Sequence, residues 1–124
     1  MQPDRRILAR EWRSAAAEDL RVAKLLRVES PSTAAFHSQQ AAEKALKAAC
    51  IVAIDEAPRT HVVNHLLDEL AVNGHAPTQG IREAARILER FYAPTRYPDA
   101  LGDAEQAIAE AKLVITFADT ILAI

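Results

Sequence analysis

Apolar and polar positions recur along this chain with a period near that of an α-helix, and no strand-like alternation runs long enough to matter. Over 4–28, Leu8, Trp12, Ala15, Ala16, Asp19, Val22, Ala23 and Leu26 share one stripe, with Trp12 as its large anchor. Asp19 lies on or beside that stripe, so it either answers a polar group inside a bundle or sits at the edge. After a break at Glu29-Ser30, a second helix is predicted over 30–53. Ser30 is its N-cap and Pro31 takes the first helical position, where a missing N–H costs nothing. The loop over 55–59 ends it. Thr60 is the expected N-cap of a shorter third helix that turns Val63, Leu66, Leu67 and Leu70 inward and stops at Asn73-Gly74. Pro77 is expected to open a fourth helix, in which Ile81, Ala84, Ala85, Leu88, Phe91 and Tyr92 recur at helical spacing. Pro94 and Pro98 bracket a rigid connector over 93–99, extended before each proline. The last helix has the clearest pattern: Leu101, Ala104, Ile108, Ala111, Ile115, Ala118 and Leu122 alternate by three and four, as in a coiled-coil seam. The pattern as a whole predicts one all-α domain over 1–124, an up-and-down bundle of about five helices.

Composition sharpens this picture. Half of the 124 residues are apolar but only 5% are aromatic, and alanine supplies much of the difference, so the helices are expected to approach closely. The net charge of −2 argues against a protein that coats nucleic acid over its whole surface. The charge is unevenly spread, however. Arg5, Arg6, Arg10, Arg13, Arg21, Lys24 and Arg27 dominate the first segment, and Asp99, Asp103, Glu105, Glu110 and Asp119 the last, so the two ends should attract each other within one subunit or between two. Cys50 is the only cysteine, which excludes an internal disulfide and a thiolate metal cluster. The start of the chain has no apolar leader, and no apolar run is long enough for a membrane span. The expectation is a soluble, cytoplasmic protein.

The second helix carries the candidate chemistry. Ala35, Ala42, Leu46 and Ala49 cluster on one side, while Phe36, Gln40, Glu43 and Lys47 follow one another along the other, flanked by His37 and Lys44. Amide, carboxylate, ammonium and imidazole therefore share one strip. It is either a solvated face with Glu43 and Lys47 as an i,i+4 pair or one wall of a site. Elsewhere the three glycines are scattered, so no phosphate loop exists. His61 and His65 stand four apart, as two metal ligands would, but without the intervening H-E-x-x-H glutamate, and no metal or cofactor is expected.

The segments FHSQQAAEKALKA, PRTH and FYAPTRYPD, in this order before a final alanine-rich helix, closely resemble the HEPN domain, the higher eukaryote and prokaryote nucleotide-binding family. The resemblance covers essentially the whole chain. It implies a helical bundle, usually a homodimer, often encoded beside a minimal nucleotidyltransferase with which it forms a toxin–antitoxin module. Some members are metal-independent endoribonucleases with an R-x(4–6)-H motif at the start of the last helix. Here Arg96 stands at the arginine position, but no histidine follows His75. Arg59 and His65 fit the spacing only in the wrong part of the fold. An RNase of this kind would have to draw on Arg96, His61 and Tyr97. The resemblance further implies a cleft for a nucleotide or RNA formed by Gln40, Glu43, Lys44, Lys47, His61, Arg96, Tyr97 and Asp99. Two other readings stand beside the nucleotide-binding module: the RNase, and a purely structural helical dimer in which Arg96 and Asp99 only brace the connector.

Overall fold

The computed structural model describes residues 3–92 and 101–123. They form α1 (Pro3–Leu26), α2 (Pro31–Ile54), α3 (Val63–Val72), α4 (Gln79–Glu89) and α5 (Leu101–Leu122), with no strand among the described residues. The all-α bundle of five helices is the one expected. The connector over 93–99, with Arg96, Tyr97 and Asp99, lies outside the described residues.

The bundle is organised around α2, against which α1, α3, α4 and α5 all pack. With neighbours on that many sides, α2 buries Ser38, Gln39, Glu43 and Lys47 alongside Ala42, Leu46 and Ala49, while His37, Gln40 and Lys44 are half-buried. The solvated-strip alternative is thereby corrected. Alanine is what permits this enclosure. Ala9, Ala16 and Ala23 on α1, Ala34, Ala41 and Ala48 on α2, and Ala104, Ala111 and Ala118 on α5 are spaced by seven, and every one is fully buried. Methyl groups at these positions leave little bulk to hold the helices apart. Larger side chains, among them Leu46, Leu66, Leu67, Leu70, Leu88 and Val114, fill the layers between.

Ion pairs fix the directions of the long helices. Arg13 grips Asp119 through two bonds of 2.7 and 3.0 Å, and Arg27 reaches Glu105 at 3.4 Å, so α1 and α5 run antiparallel. These contacts realise the attraction between the basic first segment and the acidic last one within a single chain. Asp19 is buried, and its carboxylate takes Lys44 Nζ at 2.6 Å and His37 Nδ1 at 2.9 Å. Of the two roles open to it in the sequence, it has the first: it answers charge on α2.

Helix ends depart from expectation where a threonine offers two choices. Thr60 accepts the Val62 N–H at 3.1 Å in a tight turn of its own, so α3 begins later, with Val62 as N-cap. Its second N–H, that of Asn64, is capped from a distance by Glu89 Oε1 at 3.0 Å. At α4 the cap is Thr78, which accepts the Ile81 N–H, so the helix starts beyond Pro77. It ends at Glu89, before Phe91 and Tyr92; Phe91 is buried, but Tyr92 is 44% exposed instead of continuing the inward stripe. Asn73-Gly74 stops α3 as expected: Gly74 adopts φ +92°, and the N–H groups of Gly74 and His75 bond Ala71 O and Leu70 O, closing a Schellman motif. Ser30 holds the N-cap position of α2 without a side-chain cap bond. No helix among the described residues is long and apolar enough to cross a membrane.

Two measurements test this packing. Replacing Ala41 with leucine should cost about 1–3 kcal/mol or more in urea unfolding, because Ala41 is fully buried in the core and the added carbons must displace their neighbours; the exposed Leu113→Ala should shift stability by less than about 0.5 kcal/mol. Burial, reinforced by the negative charges of Glu69 and Glu56, pushes the Cys50 thiol from its ordinary 9.0 up to about 12. Native protein at pH 8 should therefore resist iodoacetamide while urea-unfolded protein reacts. Because the folded chain keeps a proton that the unfolded chain gives up, this contribution to stability is complete below pH 9.0 and declines as pH rises toward about 12, which unfolding at stepped alkaline pH should show.

Candidate functional site

Glu43 is the hub of the polar groups inside the bundle. Near the middle of α2, its Oε2 meets Lys47 Nζ at 3.2 Å and His61 Nδ1 at 3.2 Å, and its Oε1 accepts from Gln39 Nε2 at 3.4 Å. The side chain is only 4% exposed, so these three donors replace the water that a carboxylate would otherwise hold. Gln39 also reaches the carbonyl of His61 at 3.4 Å, and its own oxygen accepts from Gln40 Nε2 at 2.6 Å. Lys47 lies over the Trp12 ring, 5.4 Å from its centre, in the cation–π range. No buried side-chain nitrogen or oxygen among the described residues lacks a partner.

The network opens to solvent through His61. Because a carboxylate can only accept, the Nδ1 proton of His61 points at Glu43, leaving Nε2 on the outward side of the ring. The imidazole is 57% exposed and packs against Tyr92, with ring centres 5.4 Å apart and planes 31° from parallel. Both rings face a recess of about 490 Å³ lined by Arg59, Thr60, His61, Val62, Glu89 and Tyr92. The α2–α3 loop forms one wall and the end of α4 the other.

Gln40, Glu43, Lys47 and His61, four of the sequence-predicted residues, thus belong to one connected set. Lys44 does not: three residues before Lys47, it turns toward α1 and pairs with Asp19 and, through it, with His37. Arg96, Tyr97 and Asp99 lie outside the described residues. His61 and His65 have separate partners, Glu43 for the first and Thr60 Oγ1, at 3.3 Å, for the second, which does not make them a ligand pair. Sequence reasoning did not select Gln39, Trp12, Glu89 or Tyr92 for the site. Gln39 could have been found from its helical offset of four from Glu43, whereas Glu89 reaches the recess only through tertiary packing.

Breaking this network from one side should be costly. Glu43→Ala leaves Lys47 buried without its anion, and urea unfolding should show a loss of about 3–5 kcal/mol. Adding Lys47→Met to Glu43→Leu should recover most of that loss, because the pair is then replaced by apolar volume.

A family model described as HEPN domain matches residues 9–121. Among solved structures, TT1696 from Thermus thermophilus is 32% identical, with a TM-score of 0.76 over 90% of this chain and 96% of that one. ST0689, an archaeal HEPN homologue, is 28% identical, with a TM-score of 0.75 over 92% of this chain and 97% of that one. No curated protein matches the chain.

Proposed function

The chain belongs to the HEPN family, and from that premise we propose that it is a nucleotide-binding module that does not itself cleave RNA. The observation that carries the proposal is the recess beside His61. It brings together an aromatic surface made by Tyr92 and His61, an exposed guanidinium from Arg59, and a buried carboxylate that holds the imidazole in one orientation. Aromatic faces stack on a base, and a guanidinium takes phosphate oxygens in pairs. The absence of any histidine beyond His75 removes the residue on which the family's nuclease motif depends. With this reading goes the pairing that the family resemblance implies: a homodimer acting with a minimal nucleotidyltransferase in a toxin–antitoxin-type system.

Calorimetric titration with AMP and GMP tests the binding. Tyr92→Ala and Arg59→Ala should each weaken it about tenfold or more, on the scale of one lost stacking or phosphate contact, whereas Arg86→Ala, on the exposed face of α4, should not. Total RNA incubated with the protein in EDTA should stay intact. Cleavage that disappears in Arg96→Ala would overturn the non-catalytic reading in favour of an RNase. Co-expression with a neighbouring nucleotidyltransferase should yield a co-purifying complex, and separate recovery of the two would remove the pairing.

A further inference from the structure

The recess contains one group that a simple phosphate site would exclude. Glu89 closes α4, and its Oε1 accepts the backbone N–H of Asn64 at 3.0 Å. That bond pins the carboxylate across the first turn of α3. Its second oxygen, Oε2, has no partner among the described residues. A fixed anion repels a phosphate, so a nucleotide in this recess would place its phosphate toward Arg59 and a hydrogen-bond-donating edge toward Glu89.

The bases differ in what they offer there. Guanine presents two adjacent donors, the ring N1–H and the 2-amino group. Adenine sets an acceptor, N1, beside its 6-amino group, and cytosine likewise sets N3 beside its 4-amino group. Uracil has a single N–H between two carbonyls. On its Watson–Crick edge every base other than guanine presents such a carboxylate with at least one acceptor, and a polar group left facing an acceptor in a recess costs more than a lost contact. We propose that the recess selects guanine nucleotides and that Glu89 is the residue that sets this specificity; the inference rests on the nucleotide-binding reading above. The ribose diol is the other double donor on a nucleotide, and the test separates the two.

Titrations with GMP, AMP, IMP and 2′-deoxy-GMP should give GMP at least tenfold tighter than AMP, IMP in between because it lacks the 2-amino group, and deoxy-GMP equal to GMP. Glu89→Gln keeps an oxygen for the Asn64 N–H, so α3 remains capped, but it turns one acceptor into a donor. By the same rule it should weaken GMP and strengthen AMP, whose N1 acceptor can then face a donor, so that the preference for GMP disappears. Equal binding of GMP and AMP by the wild type overturns guanine selection and leaves the nucleotide-binding reading standing. No binding of any nucleotide overturns both. A GMP preference that survives in Glu89→Gln overturns the role of Glu89, and a loss confined to the deoxy compound assigns the carboxylate to the ribose instead.

Discussion

Glu43 is a carboxylate near the middle of the one helix that the other four enclose, and the site is arranged around the need to answer its charge. An unpaired anion at that depth would cost several kcal/mol, so its neighbours are constrained. Lys47 must stay folded back along α2, Gln39 must turn toward it, and the α2–α3 loop must run close enough for His61 to supply Nδ1. The path of that loop, and with it the recess, follows from the position of one buried oxygen atom. Asp19 repeats the arrangement at the α1–α2 contact, where a buried aspartate takes Lys44 and His37. Each centre sets an acid against an ammonium and an imidazole, and each ties α2 to a different part of the chain.

Alanine makes the enclosure possible and polarity makes it specific. The methyl-lined contacts between α1, α2 and α5 have little shape of their own and would tolerate sliding along the axis by a turn or by a heptad. The charges would not. Arg13 with Asp119, Arg27 with Glu105, and Asp19 with Lys44 are satisfied together only in one register. The surface members contribute little energy, since exposed pairs are worth at most about 1 kcal/mol each, but a wrong register would strand the buried ones.

The fold was legible because periodicity survives without knowledge of neighbours: the spacing of Leu101 through Leu122 or of Val63 through Leu70 has only a helical explanation. The helix starts were harder. Thr60 and Thr78 are equally good caps by residue type, and only the first spends its hydroxyl on a turn outside the helix. The polar strip of α2 was visible as a strip but not as buried, since glutamine, glutamate and lysine among alanines suit a wet face as well as an enclosed one. Lys44 and Lys47 were inseparable in sequence, although a rotation of some 60° between them directs one to α1 and the other to the recess network. Glu89 left no trace, because its role depends on α4 lying beside the start of α3.

Trp12 is the chain's only tryptophan, and it lies under the ammonium of Lys47, whose partner Glu43 holds the imidazole at the mouth of the recess. An indole's emission responds to charge and water beside its ring, and the Lys47 ammonium is one such charge. The protein thus contains its own chromophore, one ammonium and one carboxylate away from His61. Its fluorescence is therefore a built-in optical probe of the same polar network that ends at His61.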